Sequence, residues 1–319
     1  MTSPSGIPES NHPSAQQIAT AIELLGDDAG AVHASARERL LHWGEVAVQQ
    51  LESAAEADRL LVRLRSRAVL RTLEVQKDLR EFGALRLEPI QSGSPHFAST
   101  DSGSLHFGQP ASQEAVPPLL EGAALLSRMV RTFVPPGSVL SRRLLRHATV
   151  LRRQFAGRSL PTCARLLAER LHDDVGLKGH GENGGGASAL ELDHVLIDRV
   201  LDTGTGVPVS LSIIYLLVAR WAGLSVAGVA LPDHFLVRLH GIRPVLVDPF
   251  HAGRTITKCD CARYLRSSGF DQVSHYLRDL DDREVLAHYL RSLQRATSHR
   301  GAADARQALA RARVLLETV

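Results

Sequence analysis

The sequence predicts an α+β protein that is mostly helical, and three observations carry that prediction. Apolar residues recur at helical spacing through residues 15–82 and again from 119 to 223. Three short runs rich in valine and leucine follow, at 226–231, 235–239 and 244–248, spaced as a small antiparallel sheet. From Asp282 onward two amphipathic helical patterns close the chain, joined at SHRGAAD.

The N-terminal stretch 1–14 has no apolar period and is expected to be disordered. A helical region is expected over 15–90. Val32, Ala36, Leu40 and Leu41 form one apolar face, and Gly44 can end that helix. Further faces follow at 46–51 and 60–73. The segments AVHASARERLL and LVRLRSRAVLR are weakly similar about thirty residues apart, which loosely resembles paired-helix HEAT repeats. An ordinary helical bundle accounts for the same pattern. Residues 91–118 are rich in Ser, Gly and Pro without a period and read as a linker and domain boundary.

A core is expected over 119–281. It holds helical blocks broken at Pro135-Pro136 and Gly157, and then the Gly-rich loop KGHGENGGGAS. That loop is no phosphate cradle, because no strand precedes it and no Gly-Lys-Ser/Thr follows it. ELDHVLIDRVL reads as a helix. The run 207–219 is too short for a bilayer span and reads as a buried helix, opened by Pro208 and stopped at Gly223.

A net charge of +3 gives no strong nucleic-acid signal. The cations are arginines, apart from Lys77, Lys178 and Lys258, and they are spread along the chain. Three cysteines are too few for a disulfide framework, and the first residues lack the basic and apolar regions of a signal peptide. A cytoplasmic location is therefore expected. Cys259-x-Cys261, even with His251 nearby, lacks a second ligand pair and reads as free thiols. His172, His180 and His194 have no ligand spacing. Neither a cofactor nor a metal is expected.

The stretch LPDHFLVRLHGIRPVLVDPF concentrates the chemistry. A three-residue loop at 240–242 puts Leu239 opposite Arg243 and His234 opposite Asp248. Opposed Cβ atoms lie about 4.5–5.5 Å apart, so the carboxylate can orient the imidazole. The bland alternative is that both residues cap strand ends and bond the backbone. A helix starting at Pro208, followed by strands carrying His and then Asp, is the element order of papain-like and transglutaminase-like cysteine enzymes. In those enzymes a helix N-terminus activates the thiol.

Residues 200–250 resemble the transglutaminase-like SirB family, through V-L-x-x-x-x-G-V-P-V-S-L-S-I-I-Y-L-L-V-A-R, G-V-A-L-P-D-H-F-L-V-R and V-D-P-F-H-A-G-R-T-I-T. LLEGAALLSR and the helix pair at 282–319, which looks tetratricopeptide-like, extend the resemblance to about 119–319. The resemblance implies a transglutaminase-like core with a small antiparallel sheet, following a HEAT-like addition. The chain departs from the family pattern in two places. Asp233 stands where the family has glycine, and His194-Val195 falls where it has Asn-Ser. Like the family in general, the chain lacks the transglutaminase cysteine. Carried over by position, the resemblance implies a nucleophile slot within 207–210, where Ser210 alone bears a hydroxyl, with Ser212 two residues on.

Two functions follow as expectations. The first is a non-catalytic protein-interaction module whose partner is another protein, with His234 and Asp248 a vestigial pair. The alternative is a hydrolase or acyl-transfer enzyme. In it Ser210 is the nucleophile, His234 the base and Asp248 the orienter, with Asp233 as a modifier. A helix dipole brings a thiol into useful range but not an aliphatic hydroxyl, so Ser210 needs a well-aligned imidazole.

Overall fold

The computed structural model describes residues 13–87, 116–181, 190–298 and 303–318. The leading stretch 1–12, nearly all of the expected linker and most of the Gly-rich loop lie outside these. The chain divides into two compact units, Met1–Arg80 and Glu81–Val319.

In the first unit α1 (Ala15–Leu25) starts at a capping box. Ser14 accepts from the Gln17 N–H, and the Gln17 side chain reaches back to the Ser14 N–H. Helices α2 (Gly30–Trp43), α3 (Val48–Ala54) and α4 (Leu60–Gly83) follow. Gly44 ends α2 with φ +61, as its place after the apolar face predicts. Ile18, Leu25, Leu40, Leu51, Val62 and Val69 pack into one apolar cluster.

The second unit opens with α5 (Pro118–Val130), α6 (Gly137–Phe155) and α7 (Leu160–Ala168), the last running on into a π-helical turn. The two-residue strands β1 (Lys178–Gly179) and β2 (Thr205–Gly206) pair in parallel on either side of α8 (Ile197–Thr203). Helix α9 (Pro208–Trp221) is buried from Val209 to Ala219. That burial on every side explains why its sequence is apolar throughout instead of striped.

The sheet is an antiparallel meander of β3 (Val226–Leu231), β4 (His234–Leu239), β5 (Val245–Asp248) and β6 (Arg254–Ile256). Helices α10 (Lys258–Ser267) and α11 (Val273–Tyr276) follow the sheet, then α12 (Asp282–Thr297) and α13 (Ala303–Glu317). The C-terminal pair is built into the core. The Tyr289 hydroxyl of α12 lies 2.8 Å from the buried Ser127 hydroxyl of α5, and Arg220 of α9 pairs with Asp282 at 2.8 Å. The architecture is thus α+β and mostly helical, with one small antiparallel sheet.

One expectation about the sheet is corrected. Leu239 pairs with Val245, not Arg243, so residues 240–244 form a longer loop and His234 is not directly opposite Asp248. Pro244 has no N–H to give the ladder, so pairing resumes at Val245. The partner of each β4 residue therefore moves two places along β5. Side chains alternate with period two, so the shift keeps His234 and Asp248 on one face as diagonal neighbours. The strand Arg254–Ile256 is too short and too polar to stand out in the sequence.

Candidate functional site

His234 follows a two-residue turn at Pro232-Asp233, since Leu231 pairs with His234. Asp233 has φ +51. Proline followed by a left-handed residue fits a type II turn, and Asp is among the few non-glycine residues that enter that region at low cost. Its exposed carboxylate lies 3.6 Å from Arg295. Asp233 is thus held at the rim of the site.

Asp248 ends β5 and is 1% exposed. Its Oδ1 accepts from the N–H groups of Phe250 (3.1 Å) and His251 (3.2 Å), a local turn that fixes the carboxylate. His234 Nε2 lies 3.0 Å from Oδ1. The angle is too bent for a hydrogen bond, and this buried nitrogen has no other partner. His251 Nδ1 lies 2.7 Å from Oδ2, in hydrogen-bonding geometry. Burial pushes the Asp248 carboxyl up, but the contacts with His234 and His251 outweigh it and hold it below the usual carboxylate range. The ring of Phe250 meets both imidazoles edge-on, at centroid distances of 5.7 and 5.1 Å.

The slot at the start of α9 is filled differently. The Val207 N–H donates to the His194 carbonyl at 2.9 Å. Ser210 is 0% exposed, and its hydroxyl donates to the Val195 carbonyl at 2.6 Å. The next hydroxyl, Ser212, is also fully buried and donates to the Phe235 carbonyl at 3.3 Å. Segment 194–195 therefore serves as a hydrogen-bond acceptor for the helix start, and the Ser210 proton is committed there.

The thiols are no better prepared. Burial pushes Cys163 up to about 11 and also raises Cys261, moving both away from thiolate. Cys259 is exposed while Cys261, two residues on in α10, is buried, so the two side chains leave the helix on different sides. His180 and His194 stack with ring centroids 3.6 Å apart, and His172 Nδ1 lies 2.8 Å from the Leu177 carbonyl.

His234 stands between two cavities. One, of about 590 Å³, lies toward α12 and is bordered by Arg278, His288, Arg291 and Arg295. The other, of about 600 Å³, is lined by Asp248, His251, Arg254, Asp260, Cys261 and Tyr264. The residue that sequence reasoning missed is His251, weighed there only as a companion of the cysteines. Its signal is the spacing Asp248-Pro-Phe-His251. A tight turn after a strand end brings the i+3 side chain back onto the aspartate.

Residues 139–291 match the model of the transglutaminase-like superfamily. Human F-box only protein 21 is 32% identical over 100 residues, 28% of this chain and 15% of that protein. A UPF0162 protein of Xylella fastidiosa is 43% identical over 61 residues, 19% of this chain and 22% of that protein. The chain thus spans less than a quarter of the length of either relative. No solved structure matches it. The core of the second unit is a transglutaminase-like domain.

Proposed function

We propose that this transglutaminase-like domain is a non-catalytic module of the SirB type that acts through contacts with another protein. In this reading a HEAT-like helical region precedes it and a tetratricopeptide-like helix pair closes it. The observation that carries the proposal is the state of Ser210, which is fully buried and bonded to the Val195 carbonyl at 2.6 Å. To attack a substrate, the hydroxyl must abandon that bond and leave a buried carbonyl unpaired, which costs about 1–3 kcal/mol before any chemistry. Ser212 is equally committed. Among the described residues, the remaining feature of an acid–base site, His234 against Asp248, is then without a free hydroxyl at the start of α9 to serve. Arg278 and Arg295 at the cavity beside α12 already face Glu284 and Asp233, so Arg291 is the cation there that a carboxylate on a partner segment suits.

The alternative, a hydrolase or acyl-transfer enzyme using Ser210, His234 and Asp248, draws its support from the 3.0 Å His234–Asp248 contact. A screen of ester, amide and transglutaminase substrates, comparing the wild type with His234→Ala, decides between the readings. The proposal expects neither protein to exceed buffer. Turnover by the wild type that disappears in folded His234→Ala overturns it. Once a partner is found, its binding is expected to survive Ser210→Ala and to weaken in Arg291→Glu.

A further inference from the structure

We infer that His234, Asp248 and His251 form a binding site for a divalent transition-metal ion. Among the described residues they are the one group of three His, Cys, Asp or Glu side chains whose ligand atoms all lie within 4.8 Å of one another. Two imidazoles and a carboxylate are the donor set of zinc and of non-haem iron, cobalt and nickel sites, whereas calcium and magnesium favour all-oxygen shells.

The donors already stand side by side, each imidazole against a different oxygen of one carboxylate, so a shared ion takes both oxygens or draws one imidazole across to the other. Ligand atoms about 2.0–2.2 Å from a metal, at tetrahedral or octahedral angles, stand about 2.9–3.5 Å from each other. The His234 Nε2–Asp248 Oδ1 separation is 3.0 Å, and His251 Nδ1–Asp248 Oδ2 is 2.7 Å. The second needs to open by only a few tenths of an ångström as the metal displaces the shared proton.

The angles distinguish a metal site from a simple relay of hydrogen bonds. In a relay each imidazole N–H points along the line to its acceptor. His234 Nε2 does not, and it is buried with no hydrogen-bond partner. A buried polar atom in that condition calls for a cause, and a ligand lone pair aimed at an ion beside the carboxylate supplies one.

The supporting shell is already in place. Two backbone N–H groups hold Asp248 Oδ1, and the Phe250 ring packs edge-on against both imidazoles. Such outer contacts fix ligand orientation before the metal arrives. Two of the ligands come from adjacent strands and the third from the turn that follows, so the site rests on the sheet. The adjoining cavity of about 600 Å³ leaves open positions for water or another ligand, and Asp233 and Asp260 offset the charge of Arg254 there.

The inference does not depend on the non-catalytic reading, and its failure leaves that reading standing. The test is titration of the metal-stripped full chain with Zn²⁺ by calorimetry, and with Co²⁺ followed by its visible absorption. One equivalent is expected to bind, with imidazole-type Co²⁺ bands. His234→Ala and His251→Gln are each expected to weaken binding at least about tenfold. Cys259→Ser and His180→Ala are expected to leave it unchanged. His251 is partly exposed, so its variant is expected to keep the fold, which circular dichroism verifies. The inference is overturned if the wild type shows no saturable one-equivalent binding. It also fails if folded His251→Gln binds as tightly as the wild type, or if Cys259→Ser is the variant that loses the metal.

Discussion

Replacing Asp248 by asparagine isolates the charge at the centre of the site. The amide oxygen still accepts from the Phe250 and His251 N–H groups, so the local turn survives. The variant loses the negative charge facing two imidazoles at 3.0 and 2.7 Å. Hydrogen bonds to a charged group are worth about 1.5–3 kcal/mol and neutral ones about 0.5–1.5, so exchanging the His251 bond, together with the lost attraction of the carboxylate for the nearby His234 ring, lowers stability by about 2 kcal/mol. For a unit of this size that corresponds to a fall in Tm of about 4–8 °C. Trp43 and Trp221 are the two tryptophans, one in each unit, so a Trp43→Phe background makes fluorescence report the second unit alone. The pH dependence adds a second check. Asp248 lies below its ordinary 3.8. An acid depressed in this way contributes stability that is present above 3.8 and disappears as the pH falls through the folded value. The gap between wild type and variant is therefore expected at pH 7 and still at pH 5, narrowing only below about 4. A variant within 0.5 kcal/mol of the wild type at pH 7, an approximate bound for an inconsequential surface change, refutes the reasoning. So does a gap that widens on acidification below 4.

Three further outcomes follow from the same geometry. Ser210→Ala is expected to lower stability in urea by about 1–3 kcal/mol, because the buried Val195 carbonyl loses its donor; an unchanged midpoint rules out that bond. Gly253 has φ +66, and a Cβ there meets the Ala168 Cβ at 2.6 Å and the Tyr215 hydroxyl at 2.8 Å, so Gly253→Ala is expected to cost about 2–3 kcal/mol by the same assay. Burial, then Arg291, with smaller contributions from Arg278 and Arg295 set against Glu284, pushes the His288 imidazole down to about 4. The unfolded chain therefore binds the extra proton first. Stability is expected to fall by about 1–2 kcal/mol, discounted for solvent screening, as the pH drops from 6.5 to 4, and His288→Gln is expected to flatten that part of the profile.

The sequence by itself determined the mostly helical α+β class, the buried helix from Pro208 and the strands at 226–231 and 235–239, the second of which begins one residue earlier in the structure, because apolar periodicity and the punctuation of Pro208, Gly44 and Gly223 are local signals. It also brought His234 and Asp248 to one sheet face, since strand parity survives a two-place error in register. It was silent about the third residue, because nothing in an Asp-Pro-Phe-His string reveals that the turn closes back on the carboxylate. Only the tertiary structure decided where the Ser210 proton goes. Its acceptor, Val195, lies in a separate segment whose path is set by packing across the core, and a sequence pattern does not report which carbonyl a buried hydroxyl reaches.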